Sequence, residues 1–563
     1  MPLRIPIGLD DFRALREQRL EYIDKSDLIR QLLDRPGVQA IVFPRPRRFG
    51  KTLNLSMLRC WFEKRDEDFS HLFQDLSIWQ AGEEYRAHFQ RYPVLHFNFK
   101  GTKADSFEEC WAAIKKSIEV LFREHAYLLG SDRLSEWEIR DYRAILDSSL
   151  DTTLYRRALL DLSAYLHRHH GEKVVILIDE YDEPIHAGHF HGYADQIIEF
   201  MWAFFTNGLK TNPHLFRAVV TGILRVGKES LFSDANNIDV YTLLAPQFNT
   251  SFGFTEAEVT AVLERNGRAD KLEAVRAWYN GYLFGGAVIY NPWSVLCFLQ
   301  REEPNPRAYW LSTSSNDLVR ELLQRYALRL QPVFETLLEG GGIDRVLDEN
   351  VVLSEIRENE GALWSLLVFS GYLKAARIDD DALGQAVHRL SIPNREVRHV
   401  YATTFRSWME NRMKGHSGSL EKLTRALLGG DAEGFEEQLQ AFVTNVLSYH
   451  DPGTLDPERV YQGFVVGLLA VLEPEYQVRS NRESGKGRPD VLIRPMAAGR
   501  AGVVLELKVA RPGKKTLEQA LEEGLAQLLA NDYGAELQAG GAAPVHAFAV
   551  AFDGKEVRVR SGQ

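Results

Sequence analysis

The chain has 563 residues, of which 45% are hydrophobic and 11% aromatic, with three cysteines and a formal net charge of −11. This length predicts two to four domains, and the hydrophobic content excludes a largely disordered chain. The cysteines are far apart and form no CxxC pattern, which excludes a disulfide framework or cysteine zinc cluster and favours a reducing compartment. The apolar runs are too short for a signal core or a bilayer span, so we expect a cytoplasmic protein without a membrane partner.

Strands and helices alternate over residues 1 to about 250. Apolar strands are predicted at four places, namely Val38–Phe43, Val94–Phe99, Val174–Ile178 and Phe216–Thr221. Helical patterns lie between them, for example Leu53–Phe62 and Leu154–His167. Alternation of near-continuous apolar strands with helices predicts a parallel sheet that is covered on both faces.

A glycine–lysine–threonine motif lies between the first predicted strand and the next helix. The strand–loop–helix order is that of a phosphate-binding P-loop, in which backbone N–H groups and the helix N-terminus face the phosphates. Lys51 is the candidate contact to the β- and γ-phosphates of ATP, and the Thr52 hydroxyl is the candidate Mg²⁺ ligand. The predicted nucleotide-binding residues of this loop are Arg47, Arg48, Phe49, Gly50, Lys51 and Thr52.

The loop departs from the usual GxxxxGK[ST] pattern at its first glycine, and it also contains a proline. Arg45 stands where the pattern has its first glycine, and Pro46 removes one backbone N–H from the phosphate cradle. The motif alone therefore also fits a chance match.

A second feature supports the P-loop interpretation. The apolar strand from Val174 ends in Asp179 and Glu180, which is the layout of a Walker B motif. Asp179 would hold Mg²⁺ and Glu180 would polarise the attacking water. Thr221, at the end of another strand, and Arg225 beyond it are candidate γ-phosphate sensors, although ordinary strand-end polarity explains both equally well.

The remaining chain divides into two regions. Residues 251–450 read as a mainly helical lid or linker domain. A different pattern fills residues 451–563, with a helix (456–471), three strands (476–480, 490–494 and 502–509), a helix (516–530) and a final strand (545–552). The predicted domains are therefore 1–250, 251–450 and 451–563.

The last region contains a PD sequence followed by ExK. Asp490 and Glu506 are 16 residues apart, and Glu506 and Lys508 share one face of a strand because side chains alternate along it. Two carboxylates and an ammonium group at adjacent strand positions suit metal-dependent phosphodiester hydrolysis, with Mg²⁺ as the expected cation and Mn²⁺ as an alternative. Gln527 is a further catalytic candidate on the next helix, and Glu458 is a further metal-ligand candidate on the preceding one.

The charge of this segment has two interpretations. Residues 476–516 contain ten Lys or Arg residues and three acids, a net charge of +7 within an acidic protein. A basic surface around the PD…ExK motif favours nucleic acid, and DNA is the expected partner. A solvated face of surface charges is the alternative.

Motifs along almost the whole chain resemble a bacterial and archaeal family that joins an AAA-ATPase-like domain to a PD-(D/E)XK nuclease domain. The family's P-loop reads RPRRFGK[ST], so Arg45 resembles a family trait. The motifs that carry the resemblance are Tyr22–Lys25, Arg45–Thr52, Ile178–Asp182, Thr221–Arg225, Trp278–Tyr282, Tyr290–Ser294, Ser480–Asp490 and Glu506–Lys508.

The resemblance implies an α/β multidomain protein with a P-loop parallel-sheet ATPase, a helical middle domain and a restriction-endonuclease-like nuclease core. It implies ATP and divalent metal as cofactors. It does not imply a cellular role, and mobile-element biology or defence against foreign DNA is only one setting compatible with these activities. The motifs at Trp278–Tyr282 and Tyr290–Ser294 are expected to be aromatic packing. A homo-oligomer is left open, and so is a second function, a slow-turnover nucleotide switch whose nuclease-like domain only binds nucleic acid or a partner.

Overall fold

The structure is a computed structural model. It falls into two compact units, an N-terminal unit (Met1–Ser314 and Asp344–Arg395) and a C-terminal unit (Ser315–Ile343 and Glu396–Gln563). The three-domain division stays a prediction. No helix within the described part of the chain is long and apolar enough to cross a membrane. The structure describes residues 4–224, 237–301, 305–310, 331–338, 340–350, 359–412, 419–446, 457–472, 475–480, 489–511, 513, 515–531 and 533–562.

A five-stranded parallel sheet forms the centre of the N-terminal unit. Its strands are β1 (Ala40–Pro44), β2 (Val94–Asn98), β3 (Val174–Asp179), β4 (Leu215–Gly222) and β5 (Ile238–Val240). Their order is β2-β3-β4-β1-β5, and every neighbouring pair is parallel. The four predicted strands and the parallel sheet are confirmed. Because parallel strands end at one edge, the residues that follow β1, β3 and β4 meet there.

Helices cover this sheet, and their ends follow from local capping. Helix α8 begins after Asp151, whose side chain accepts the N–H of Thr153, and ends at Gly171 in the left-handed conformation. The two predicted helices lie inside α3 and α8. The helices in this part are α1 (Phe12–Glu17), α2 (Asp27–Leu33), α3 (Lys51–Phe62), α4 (Ser77–Gln80), α5 (Glu83–Arg86), α6 (Phe107–Glu124), α7 (Glu136–Leu146), α8 (Thr152–His170), α9 (Glu183–His191) and α10 (Ala194–Phe205).

The middle of the chain is helical, but it also contains short strands. The helices are α11 (Glu256–Arg265), α12 (Leu272–Tyr279), α13 (Pro292–Gln300), α14 (Gln331–Leu338), α15 (Glu360–Phe369) and α16 (Arg395–Arg412). The strands are β6 (Tyr282–Phe284), β7 (Ala287–Ile289), β8 (Ile343–Val346), β9 (Lys374–Asp380) and β10 (Ala386–Ser391). The prediction missed these strands because runs of three to seven residues, several of them half-exposed, carry little hydrophobic periodicity.

A mixed sheet forms the core of the C-terminal unit. Its strands, in spatial order, are β11 (Tyr476–Ser480), β12 (Val491–Pro495), β13 (Gly502–Val509), β14 (Val545–Asp553) and β15 (Glu556–Ser561). Only β13 and β14 are parallel among these neighbours. The surrounding helices are α17 (Ser419–Gly429), α18 (Ala432–Val446), α19 (Pro457–Leu469), α20 (Leu517–Ala530) and α21 (Ala535–Ala539). The predicted helix–strand–strand–strand–helix–strand order is confirmed.

Side chains from α18 cover the outer edge of this sheet. Gln440 Oε1 accepts the backbone N–H of Val557 at 2.8 Å, and Glu436 Oε2 accepts that of Val559 at 2.7 Å. Both N–H groups belong to β15, the last strand of the sheet. The helix thus supplies hydrogen-bond acceptors that a further strand would otherwise supply.

Candidate functional site

The phosphate-binding loop runs from the end of β1 to the start of α3. Gly50, directly before the helix, has a φ of 84°, and Arg48 has a φ of 68°. Lys51 is 7% exposed, and its Nζ donates to the carbonyls of Arg45 and Pro46 at 3.0 and 3.1 Å. Burial lowers the pKa of Lys51, and the carboxylates around it offset part of that effect. The loop therefore wraps around the lysine ammonium group.

Asp179 binds two threonine hydroxyls from neighbouring elements. The Thr52 hydroxyl donates to Asp179 Oδ2 at 2.6 Å, and the Thr221 hydroxyl donates to Oδ1 of the same carboxylate. Asp179 and Thr221 are both fully buried. Because β3 lies beside β4, the two strand ends bring these residues together. The structure thus joins three of the residues that the sequence proposed for nucleotide and Mg²⁺ binding.

Glu180 follows Asp179 and faces a second acid. It is partly exposed and has a φ of 51°. Burial, together with hydrogen bonding to and repulsion from Glu180, raises the pKa of Glu183 to about 7. Glu183 therefore binds a proton more readily near neutral pH than an ordinary glutamate does. The sequence interpretation missed Glu183, although the run Asp179–Glu183 contains four acids.

Arg45, the residue in place of the usual glycine, points into an aromatic core. Its guanidinium group is fully buried and lies 5.2 and 5.5 Å from the ring centres of Phe252 and Phe284. Nη1 donates to the carbonyl of Tyr241 at 2.6 Å, while Nε and Nη2 have no hydrogen-bond partner among the described residues. Burial lowers the pKa of Arg45 to about 9. This side chain supports the loop from the core, through contacts that glycine cannot make.

Replacing Arg45 by glycine, which restores the usual motif, is expected to destabilise the N-terminal unit. The change leaves a large cavity beside Phe252 and Phe284, and a large-to-small core substitution costs about 3 kcal/mol or more. Differential scanning calorimetry should show a lower unfolding temperature for this variant than for Arg47→Gly, a control on the same loop at a partly exposed position. Equal stability of the two variants would contradict a supporting role for Arg45.

The other predicted loop residues differ in their surroundings. Phe49 is buried, with its ring 5.0 Å from that of Tyr282, so only its backbone is offered to a nucleotide. The exposed Arg48 lies 4.3 Å above the ring of Trp293. Arg47 is partly exposed on the loop. Arg225 lies outside the described residues.

The PD and ExK residues meet at one end of the C-terminal sheet. Asp490 directly precedes β12, and its Oδ2 accepts the backbone N–H of Leu507 on β13 at 2.7 Å. Lys508 Nζ donates to Glu506 Oε1 at 2.7 Å. The antiparallel pairing of β12 and β13, with Val491 opposite Leu505, sets this arrangement. The three residues that the sequence selected therefore form one cluster.

Burial dominates the electrostatics of this cluster. Glu506 is 1% exposed, and its Oε2 has no hydrogen-bond partner in the part of the chain that the structure describes. Burial and the charge of Asp490 raise the pKa of Glu506 to about 7, and burial also raises the pKa of Asp490. Burial by itself would lower the pKa of Lys508, but the hydrogen bond with Glu506 and the charges of the surrounding acids together outweigh burial, so that pKa is raised. Negative charge is thus held here at a free-energy cost that a cation would offset.

The donor set fits a hard divalent cation. Asp490 and Glu506 offer carboxylate oxygens, and Glu506 Oε2 is an uncommitted one. Within the described residues, no group of three or more His, Cys, Asp or Glu side chains is placed to hold a metal by itself. Mg²⁺ commonly takes one or two carboxylates and completes its shell with water and substrate phosphate. Two carboxylates beside a lysine match that requirement.

Two further candidates lie at different distances from the cluster. Glu458 Oε1, on α19, is 3.8 Å from Lys508 Nζ. The Gln527 side chain donates to the Tyr533 hydroxyl at 3.2 Å, and no hydrogen bond joins it to the three cluster residues, all of which the structure describes. The sequence interpretation missed Gln462, whose Nε2 donates to the Asp490 carbonyl at 2.8 Å. Gln462 lies four residues after Glu458 on a predicted helix, and this spacing, which puts both on one helix face, could have identified it.

The basic segment is described only in part. Arg500 pairs with Glu475 at 2.6 Å, and Lys515 pairs with Glu523. These two cations are therefore partly neutralised by neighbouring acids. Four other basic residues lie outside the described residues, namely Arg482, Lys486, Arg488 and Lys514.

The remaining motifs of the N-terminal unit make structural contacts. Lys25 Nζ donates to both carboxylate oxygens of Glu258 at 2.7 Å. The buried Tyr279 donates its hydroxyl to the Arg307 carbonyl at 2.8 Å, and Asn291 caps α13. Trp278, Tyr279 and Tyr290 belong to one buried hydrophobic cluster, which agrees with the expected packing role of the two aromatic motifs.

Comparisons with known proteins identify the families of two regions of the chain. A relative from Azotobacter chroococcum mcd 1, described as "Uncharacterized protein in vnfD 5'region", is 27% identical over 534 residues, which cover 93% of each chain. The structure of the Aeropyrum pernix ORC1 protein in complex with DNA covers 68% of this chain and 93% of its own, with 11% identity and a TM-score of 0.22, too low to bear on function. The family model described as "Predicted AAA-ATPase" matches residues 6–232, and that of the "PD-(D/E)XK nuclease superfamily" matches residues 456–561. The chain therefore joins a domain of the predicted AAA-ATPase family to a C-terminal domain of the PD-(D/E)XK nuclease superfamily.

Proposed function

We propose that the protein binds and hydrolyses ATP and cleaves nucleic acid, namely DNA, in a reaction that needs a divalent metal. The observation that carries the proposal is the Asp490–Glu506–Lys508 cluster. Its buried carboxylate oxygen, Glu506 Oε2, has no hydrogen-bond partner among the described residues and lies beside a second carboxylate and an ammonium group. A domain that only bound nucleic acid would gain nothing from acids that repel the phosphate backbone.

At the nucleotide site, each residue has a proposed task. Lys51 contacts the β- and γ-phosphates once it leaves the loop carbonyls, and the loop N–H groups from Arg47 to Thr52 complete the cradle. Thr52 and Asp179, already hydrogen-bonded to each other, hold Mg²⁺. Glu180 orients the attacking water. Thr221 and Arg225 respond to the γ-phosphate.

At the nuclease site, Asp490 and Glu506 are the proposed metal ligands, with Glu458 as a further one. The metal, Mg²⁺ or Mn²⁺, would polarise the phosphate and make hydroxide available near neutral pH. Lys508 positions the water and offsets the charge that develops on the phosphate. Gln527 is proposed to assist from α20. A setting in mobile-element biology or defence against foreign DNA belongs to the same proposal.

A cleavage assay tests the nuclease half directly. Purified full-length protein is incubated with single- and double-stranded DNA and RNA, in Mg²⁺, Mn²⁺ or EDTA, with and without ATP. We expect metal-dependent cutting of DNA that EDTA stops. Preferential cutting of RNA would correct the substrate, and a dependence on ATP would show that the nucleotide regulates cleavage.

A slow-turnover nucleotide switch is the second candidate function. It is favoured by the loop itself, where Pro46 lacks an N–H group and the carbonyls of Arg45 and Pro46 hold the Lys51 ammonium. In that case nucleotide binding, rather than turnover, changes the state of the protein. Parallel measurements of ATP binding, ATP hydrolysis and DNA cutting separate the two candidates.

Replacing Glu180 by glutamine is expected to slow ATP hydrolysis by about 100-fold, because a general base contributes on that order. ATP affinity should stay close to that of the parent, since Lys51, Thr52 and Asp179 are untouched. Single-turnover hydrolysis and calorimetric titration measure the two quantities. Glu136→Gln, at an exposed position on α7, is the matched control. Equal hydrolysis in the Glu180→Gln variant and the parent would remove Glu180 from this role and favour the switch.

A further inference from the structure

Two segments at the carboxyl edge of the N-terminal sheet are joined by a dense set of hydrogen bonds. Asp182 Oδ2 accepts the backbone N–H groups of both Ile223 and Leu224, at 2.8 and 3.0 Å. The N–H of Tyr181 donates to the Thr221 carbonyl at 3.2 Å, and the Tyr181 hydroxyl donates to the Leu224 carbonyl. Residues 181–182 therefore bind the end of β4 through four hydrogen bonds.

The contact is also sterically tight. A Cβ atom on Gly222 would lie 2.6 Å from a ring carbon of Tyr181 and 2.7 Å from Asp182 Oδ1. Both distances are too short for any side chain. Asp182 is 2% exposed, so water does not compete for its hydrogen bonds. A buried carboxylate that accepts two N–H groups makes stronger bonds than a neutral acceptor would.

The segment that Asp182 holds touches two nucleotide-binding elements. Thr221, directly before Gly222, donates its hydroxyl to Asp179. The Gly222 carbonyl accepts the N–H of Arg45 at 2.9 Å, and the Arg45 carbonyl in turn accepts a hydrogen bond from Lys51. A shift at the end of β4 would therefore move the Thr221 hydroxyl away from Asp179.

We infer that Asp182 is a positioning residue for Mg²⁺-dependent ATP binding. It fixes the backbone after β4, and this keeps the Thr221 hydroxyl hydrogen-bonded to Asp179, whose carboxylate would hold the cation. The inference rests on the proposed ATP site, and it assigns Asp182 no direct contact with the nucleotide. Replacing Asp182 should therefore reduce the gain in ATP affinity that Mg²⁺ produces, and should leave the affinity for metal-free ATP nearly unchanged.

The test compares two buffers. ATP affinity of the full-length protein is measured by calorimetry with excess Mg²⁺ and with EDTA, in the parent and in Asp182→Asn. We expect the gain in affinity on adding Mg²⁺ to fall at least about threefold in the variant, because a charge-assisted hydrogen bond is lost. The affinity in EDTA should stay within about twofold of the parent.

Asp24→Asn is the matched control. Asp24 also accepts two backbone N–H groups, from Ser26 at 2.8 Å and Ser77 at 2.7 Å, but these contacts lie outside the nucleotide elements. It should lose stability while keeping the full gain from Mg²⁺. An unchanged gain in Asp182→Asn, or an equal loss in both variants, would overturn the inference.

Two further outcomes are informative. If Asp182→Asn does not fold, Tyr181→Phe replaces it. This change removes the hydrogen bond that the Tyr181 hydroxyl donates to the Leu224 carbonyl, and it is expected to reduce the gain in affinity from Mg²⁺ about twofold. If adding Mg²⁺ raises the ATP affinity of Tyr181→Phe as much as that of the parent, the inference is overturned. If the parent protein binds no ATP in either buffer, the proposed ATP site itself is refuted. If the parent binds ATP and Asp182→Asn shows the same gain in affinity from Mg²⁺, only the role of Asp182 is refuted.

Discussion

Replacing Asp490 by alanine is expected to abolish metal-dependent cleavage, with a loss of at least about 100-fold. The cation loses one of its proposed anionic ligands, and each 1.4 kcal/mol of lost transition-state stabilisation is about tenfold in rate. The measurement is the initial rate of DNA cutting in Mg²⁺ and in Mn²⁺. Alanine also removes the acceptor of the Leu507 N–H, so Asp490→Asn, which keeps an oxygen there, is the second variant.

The asparagine variant separates chemistry from structure. It should cut as poorly as the alanine variant while unfolding at the temperature of the parent. Lys508→Ala should likewise cripple cutting but leave DNA binding largely in place, because other basic residues of the segment remain. If Asp490→Ala cuts as fast as the parent, the catalytic centre lies elsewhere. If the parent cuts no substrate, with or without ATP, the domain is a binding platform and the switch becomes the better description.

Replacing Lys51 by alanine is expected to weaken ATP binding by about tenfold or more. A hydrogen bond to a charged group contributes about 1.5–3 kcal/mol, and a factor of ten in affinity corresponds to 1.4 kcal/mol. Isothermal calorimetry with Mg²⁺ and ATP measures the change. Lys64→Ala, at an exposed position just beyond α3, controls for the loss of a surface charge. ATP binding that is equal in Lys51→Ala and Lys64→Ala would remove the P-loop assignment.

The sequence predicted those parts of the fold that depend on local patterns. Four strands of the parallel sheet are nearly continuous apolar runs, so their positions could be predicted. The contact between Asp179 and Thr221 depends on the strand order, which these runs do not determine. The strand β5 was missed because its three residues are only half-buried. The PD and ExK residues were found because alternation along one strand fixes the face that Glu506 and Lys508 share.

Contacts between distant segments could not be predicted in this way. Arg45 was recognised as a departure from the motif, but its aromatic surroundings include Phe252 and Phe284, more than 200 residues away in the chain. The role inferred for Asp182 depends on hydrogen bonds from backbone N–H groups, which the identities of the donor residues do not reveal. The hydrogen bond between Gln527 and the Tyr533 hydroxyl is likewise a contact that helical periodicity could not predict, and the catalytic role of Gln527 stays a proposal.

The helix that covers β15 limits how two copies of this protein can associate. An exposed edge strand can accept a strand from another molecule, because its N–H and C=O groups are free to pair. Here Glu436 and Gln440 already occupy two of those N–H groups. A second copy that extended the sheet at β15 would first have to displace α18. Any self-association through a continuous intermolecular sheet is therefore disfavoured at this edge, and end-to-end polymerisation of nuclease domains, which needs both edges, is disfavoured with it.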